Sequence, residues 1–308
     1  MILLTGAKGV LGSAFCDLYS NELYPIKGRK ELNITSQTEV EDFFNKKKFS
    51  GIIHLAAVSG GMGFSGPKYQ ASLLRDNILM LFNILDSARK FKIKKVLIVL
   101  SSGMYPPATK MPYAENDIHS GPAHESSYGY FYAKRMFEPA IKSYRQQYGM
   151  DIIGCVPNGI FGPNDNFSDF APMLPSIIKR AEHAFKYEKN LEVWGDGKPL
   201  REYTYSYDMA KAMMWCYKNY SSEKIINVGS NEELSIKEIV EIISKNIGLD
   251  SSRITYDISK PSGVMRKSMD NSKFIELSGF EFTRTEVGIK KTIEWFKKQK
   301  TLREETKL

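Results

Sequence analysis

Short apolar runs alternate, through the first half of the chain, with stretches whose apolar residues recur every three or four positions. Runs at Met1–Thr5, Glu22–Gly28, Gly51–Ala57 and Lys95–Ser101 read as strands, and the continuous KVLIVLS as one buried on both faces. Helical periodicity between them predicts helices over Val10–Asn21, Gln37–Lys47, Ala71–Phe91 and Tyr128–Tyr148, with Pro139 placed to kink the last. A strand over Asp151–Phe161 closes the series. Strands of this length separated by helices imply βαβ units on a parallel sheet.

The rhythm changes where Gly, Pro and Asn cluster at Gly162–Asn166. A helix over Pro175–Tyr187, a hairpin-like LEVWGDGKPLREYTY, a helix over Tyr207–Tyr220 and a buried strand at Lys224–Gly229 follow. Ser235 with Glu238 three residues on forms a capping box ahead of an amphipathic helix to Ile247, and a helix from Lys290 frays into a charged end. The fold class expected is α/β: a Rossmann-type doubly wound parallel sheet with a smaller α/β C-terminal substrate domain. The dinucleotide-binding domain is expected to comprise residues 1–161 plus about 203–230, and the substrate domain about 162–202 plus 231–308.

Charge narrows the partners. Forty-three Lys and Arg against 35 Asp and Glu give +8, spread along the chain without basic runs interleaved with aromatics, so anionic small molecules fit and nucleic acid does not. Cys16, Cys155 and Cys216 lie far apart, which excludes a disulfide framework or zinc knuckle and fits a reducing cytoplasm. No apolar run approaches the ~18 residues of a membrane span, and Met1–Leu4 lead straight into a glycine loop rather than a secretory signal.

That loop is Thr5-Gly6-Ala7-Lys8-Gly9-Val10-Leu11-Gly12, with glycines at intervals of three between a strand and a helix. Glycine allows the tight turn and the approach of backbone to a pyrophosphate at the positive helix end. An acid after the second strand would hold an NAD ribose; Gly28-Arg29-Lys30 stands there instead, with Lys8 in the loop. Cations there complement a 2′-phosphate, so NADP(H) is expected, and the nearby Glu31 leaves NAD(H) open.

Tyr130 and Lys134 are spaced to share a helix face, while Tyr128 and Tyr132 point elsewhere. A cation beside a phenol favours phenolate and is expected to lower the Tyr130 pKa. Ser101-Ser102 ends the preceding strand.

In this order, the glycine loop, HLAA (His54–Ala57), Asn77, the strand-end serine, Tyr130/Lys134 and the FGP turn (Phe161–Pro163) resemble the extended short-chain dehydrogenase/reductases along nearly the whole chain. Within that family the branch most similar is the GDP-L-fucose synthases, through RKELNIT (29–35), IIHLAAVSGG (52–61), SSGMYP (101–106), GPNDNF (162–167), VWGDGKPLREY (193–203), INVGS (226–230) and KPSGVMRK (260–267). The resemblance implies Ser101, Tyr130 and Lys134 as the catalytic set, with Ser102 as the alternative serine. It implies Ala56, Ala57, Asn77, Lys134 and Asn158 beside the glycine loop as cofactor contacts. Ser102, Gly103, Lys179, Arg180, Trp194, Arg201, Arg266 and Lys267 are implied to contact a GDP-sugar, and dimers through the Tyr130 helix are common in the family.

Two departures stand out. The fucose synthases invert two carbons with a cysteine and a histidine before reducing a 4-keto group; the matching positions here hold Gly103 and Pro172, which move no protons. The family's Asn before the aromatic-Gly-Pro turn is Gly159, with Asn158 one place away. The carboxylate that the family's dehydratases carry after the catalytic hydroxyl residue is also missing. The expectation is therefore reduction of the C4 keto group of a GDP-linked hexose or heptose with NADPH, without C3/C5 epimerisation, in making a surface-polysaccharide sugar. The alternatives are a 4-dehydrogenase or 4-epimerase with tightly held NAD(H), and a non-catalytic nucleotide-binding protein. No metal site is expected, and the sugar-side loops at Ser59–Gly66 and His119–Ser127 are expected to set sugar identity.

Overall fold

The computed structural model describes residues 1–59, 66–107, 109–169, 171–260 and 262–305, with the side chains described as far as 299. Most of the loop 59–66, part of the 260–267 stretch and the last three residues of the charged tail therefore lie outside the described residues. The chain runs β1 (Ile2–Thr5), α1 (Val10–Tyr19), β2 (Leu23–Ile26), α2 (Gln37–Lys46), β3 (Gly51–His54), α3 (Gln70–Lys90), β4 (Lys95–Val99), α4 (Tyr128–Tyr148) and β5 (Asp151–Pro157). It continues with β6 (Gly159–Phe161), α5 (Met173–Lys186), β7 (Leu191–Trp194), β8 (Leu200–Tyr205), α6 (Ser206–Asn219) and β9 (Ile226–Val228). Last come β10 (Glu233–Ser235), α7 (Ile236–Ile247), β11 (Ile254–Asp257), β12 (Arg266–Lys267), α8 (Ser272–Ser278) and α9 (Thr285–Glu305).

A six-stranded parallel sheet, ordered β2-β1-β3-β4-β5-β9, forms the centre. Its strands are buried on both faces because helices cover both. Val40, Phe44, Leu81, Leu85, Phe137 and Ile141 of α2, α3 and α4 pack on one side. Leu11, Phe15, Met209 and Met213 of α1 and α6 pack on the other. The fold class expected from the pattern, a Rossmann-like doubly wound sheet, is what the chain adopts. The strand order reverses between β1 and β3, and such a switch point opens a crevice at the carboxyl ends of the strands.

A second sheet is built around β8, which pairs with β6, β10 and β12, while β7 pairs with β11. Two expectations are corrected here. Asp151–Phe161 is two strands rather than one: β5 stays in the central sheet as far as Pro157, whose missing N–H cannot carry the ladder on, and β6 joins the second sheet after Asn158. The segment 191–205 is not a hairpin, because the left-handed Gly195 (φ +80°) and Gly197 (φ +75°) redirect the chain and β7 and β8 take different partners. The helix α4 runs through Pro139 from Tyr128 to Tyr148.

Leu174, Ile178, Val240 and Ile243 of α5 and α7 close a third core with Val193, Ile289 and Ile293. The capping box forms as read: the Ser235 hydroxyl accepts from the Glu238 N–H at 3.1 Å, and the Glu238 carboxylate accepts from the Ser235 N–H at 2.7 Å. Ser235→Ala is expected to cost about 1 kcal/mol, read as a lower denaturation midpoint with an unchanged denaturant slope.

Candidate active site

The switch-point crevice is a groove of about 510 Å³ between the β1–α1 loop and the segment after β3. A Cβ on Gly6 (φ +76°) would come within 2.7 Å of the Ala56 nitrogen, and one on Gly12 within 2.2 Å of the Gly6 carbonyl oxygen. Both glycines let backbone meet backbone. Gly9 caps α1 with no side-chain hydrogen bond and no acid in the first turn, so the first helical N–H groups and the positive helix end face the groove. Gly6, Lys8, Gly9, Val10, Leu11, Gly12, Arg29, Ala56, Ala57 and Lys134 of the expected cofactor set line it, with Tyr130.

Lys27 and Thr35 also line the groove and escaped the sequence reading; nothing marks a strand-end lysine in advance. Among the described lining residues the charges are Lys8, Lys27, Arg29 and Lys134, with no carboxylate. Glu31, the residue that left NAD(H) open, is not among the lining residues; its carboxylate accepts from the Lys27 N–H at 2.7 Å. Arg29 reaches Asp76 at 3.7 Å across the surface. These residues fit a dinucleotide with an additional phosphate.

Three expected cofactor residues do not line the groove. Lys30 lies outside it. Asn77 is buried, its amide accepting from Val58 N–H (3.0 Å) and donating to Val58 and Leu73 carbonyls, which fixes the segment after β3. Asn158 accepts from the Ser102 hydroxyl (3.1 Å) and donates to Glu202 (3.2 Å).

Tyr130 and Lys134 line the groove, and Ser101, outside the lining, hydrogen-bonds the Tyr130 phenol. The Lys134 ammonium lies 5.9 Å from the Tyr130 ring centroid and donates to the Val99 carbonyl at 2.7 Å. It is 2 % exposed, and burial pushes it down to about 7. The expected lowering of the Tyr130 pKa is corrected by the same burial. Desolvation pushes the phenol up to about 12, against which Ser101 pulls weakly. The phenol is thus a proton donor at neutral pH.

Ser101 caps the short turn Ser102–Met104, accepting from the Gly103 N–H at 3.3 Å. Arg135, one residue past Lys134, clamps that turn: Nε donates to the Met104 carbonyl (3.0 Å), Nη2 to the same oxygen, and Nη1 to the Gly121 carbonyl (2.8 Å). Its guanidinium is buried, and no motif in the sequence marks it.

The substrate-side cations divide. Arg201 and Lys267 are register partners on β8 and β12; Arg201 donates to the Leu200 and Val264 carbonyls, and burial followed by the neighbouring Arg201 pushes Lys267 down to about 8. Two cations side by side call for an anion. Arg266 is instead paired with Glu233 at 2.7 Å, and Lys179 with Asp169 at 2.9 Å. Arg180 donates to the Glu192 carbonyl. Trp194 is half exposed, with Lys260 over its ring.

Glu202, beside Arg201 in sequence, was missed altogether. It is 2 % exposed and accepts from Asn158, from the Met269 N–H (2.9 Å) and from Asn271 (2.8 Å). His54 is fully buried against Thr5 and held neutral at about 3, a structural position. His119 pairs with Glu138 on the surface, and His124 accepts from the Ser126 N–H. Among the described residues no cluster of His, Cys, Asp or Glu could hold a metal, and no helix is long and apolar enough to cross a membrane.

Residues 2–229 match the family described as NAD dependent epimerase/dehydratase. The GDP-L-fucose synthase of Dictyostelium discoideum is 33 % identical over 305 residues, spanning 96 % of this chain and 94 % of the relative. Among solved structures, a GDP-L-fucose synthetase from Naegleria fowleri bound to NADP superposes with a TM-score of 0.89 at 30 % identity, covering 97 % of this chain and 94 % of that one. A GDP-6-OMe-4-keto-L-xylo-heptose reductase from C. jejuni gives 0.87 at 25 %, with 97 % of both chains covered.

Lys134 and Lys267 make stability depend on pH. Each binds fewer protons folded than unfolded between its depressed folded value and the ordinary lysine range, so stability is expected to rise from about pH 7 to about pH 9. Denaturation midpoints across that window should show the rise, and Lys134→Met should flatten most of it.

Proposed function

The chain belongs to the NAD dependent epimerase/dehydratase family, and on that premise we propose that it uses NADPH to reduce the C4 keto group of a GDP-linked hexose or heptose without inverting the neighbouring carbons. The central sheet with its groove then serves the cofactor, and the second sheet with α5, α7 and α9 serves the sugar nucleotide. The observation that carries the reading is a protonated Tyr130, hydrogen-bonded by Ser101 and lining a cationic groove with Lys134, in a chain whose positions 103 and 172 hold no proton-moving side chain. The similarity to a fucose synthetase bound to NADP and to a 4-keto-heptose reductase supports the cofactor and the substrate class.

Each residue has a defined task. The helix end of α1 and the cations Lys8, Lys27 and Arg29 hold the dinucleotide phosphates. The bound cofactor supplies hydride. Tyr130 gives its proton to the carbonyl oxygen as that oxygen becomes an alcohol, and Ser101 donates a hydrogen bond that orients the oxygen and stabilises the charge developing on it. Lys134, whose burial lowers it to about 7 beside the Tyr130 ring, would supply the proton that restores the phenol. Arg201 and Lys267 neutralise the diphosphate, where a bidentate guanidinium is well suited.

The test is consumption of NADPH with a GDP-4-keto-6-deoxy sugar, followed by NMR in D₂O without NADPH, where the C3 and C5 protons should persist. Rapid loss of either signal would show a base in the site and overturn the stereochemical part. Tyr130→Phe should lower kcat by about 10²- to 10⁴-fold, the contribution of one general acid, with cofactor affinity nearly unchanged. Arg29→Ala should narrow the preference for NADPH over NADH in a fluorescence titration; equal affinities in the unmodified protein, or NADH purified with it, would favour an oxidising enzyme with tightly held NAD(H).

A further inference from the structure

Gly103 is not required by its backbone conformation. It is absent from the glycines with positive φ and lies in the turn Ser102–Met104, where any small residue can stand. Space excludes a side chain instead. A Cβ built on Gly103 would lie 1.9 Å from Cε1 of Phe131, 2.3 Å from Cζ and 2.5 Å from Cδ1. The ring of Phe131 occupies the volume that the first carbon of any residue-103 side chain needs.

The ring is half-buried, and on the side of the catalytic tyrosine its room to yield is limited. Phe131 follows Tyr130 on α4, and the two rings lie 5.6 Å apart, so displacement in that direction disturbs the phenol. The turn cannot back away either. Arg135, one helical turn further along α4, grips the Met104 carbonyl through two nitrogens and Gly121 through a third, holding the turn against the helix. The wedge and the clamp come from the same helix.

We infer that Phe131 is a specificity-determining residue. It fills the corner of the active site beside Ser101 and Ser102 with hydrocarbon, and so excludes any acid or base from position 103. This rests on the reductase reading above and deepens it: the carbons beside the ketone keep their configuration because the corner is closed sterically, and not only because position 103 is a glycine. A thiolate at 103 could take a proton from the carbon beside the ketone, breaking the C–H bond, leaving the electron pair as an enolate and becoming a thiol. In D₂O the exchanged thiol would return a deuteron to that carbon. With the Phe131 ring in place, there is no room for the thiol to do so.

The experiment compares Gly103→Ala, Phe131→Ala and the double variant, and then Gly103→Cys with and without Phe131→Ala. Gly103→Ala is expected to lower Tm, and in the Phe131→Ala background the same change should cost much less, since overpacking is relieved when the ring is removed. The thiol introduced by Gly103→Cys should react slowly with a thiol reagent beside Phe131 and at least about tenfold faster in the Phe131→Ala background, as access governs reactivity. With a GDP-4-keto-6-deoxy sugar in D₂O, the Gly103→Cys/Phe131→Ala protein should exchange a proton beside the ketone faster than Gly103→Cys does. Additive Tm changes, equal thiol reactivity, or equal exchange would overturn the assignment. The first two readouts need no substrate, so they separate its failure from failure of the reductase reading, which is judged on the unmodified protein with NADPH.

Discussion

The junction between the two sheets depends on one carboxylate almost sealed from water. Burial raises the Glu202 pKa and disfavours its charge, and the backbone N–H groups of Met269 and Asn231 with the amides of Asn158 and Asn271 offset only part of that rise. The donors come from three separate parts of the chain. Asn158 is the single residue between β5 in the central sheet and β6 in the second; Met269 and Asn271 follow β12; Asn231 precedes β10. A buried anion satisfied by amides rather than by a cation needs every donor in place, because its charge is costly wherever one is missing. Glu202 therefore fixes where the second sheet sits relative to the first, and through Asn158 and the Ser102 hydroxyl it reaches the turn that carries Ser101.

Around this junction the site keeps its cations poor in counter-ions. Lys134 and Arg135 are buried with backbone carbonyls as acceptors, and Arg201 and Lys267 adjoin on neighbouring strands. Carbonyls stabilise a cation without cancelling its charge, so the positive potential stays available for an anion that arrives. Surface cations behave oppositely: Arg266 and Lys179 already have carboxylate partners. The distinction between a residue that merely carries charge and one that offers it is made by the neighbours.

Such neighbours explain where sequence reading succeeds and where it stops. Elements specified by local pattern were legible: the βα alternation, the glycine loop between β1 and α1, the spacing of Tyr130 and Lys134, and the Ser235–Glu238 box. Features that depend on distant partners were not. The strand break at Asn158 and the separate pairing of β7 and β8 are set by which strands compete for each edge. The raised Tyr130 pKa comes from desolvation by the assembled site, which outweighs the hydrogen bond from Ser101 and which spacing does not reveal. Glu202 looks in sequence like any acid flanking an arginine in a half-exposed strand, and only its distant donors mark it as interior.

The contact between Gly103 and Phe131 also imposes an order in time. While the ring stands where it does, any single substitution that adds a Cβ at position 103 collides with it, so exchanging the glycine first costs stability that shrinking the phenylalanine first avoids. The reverse route is equally constrained: a lineage with a side chain at 103 must lose it before a ring can grow at 131. Each state is thus separated from the other by an intermediate with both positions small and the corner empty, which forfeits packing contacts and offers nothing in exchange. Selection acting one residue at a time meets a barrier there, and the packing of the corner becomes entrenched by one ring and one missing side chain.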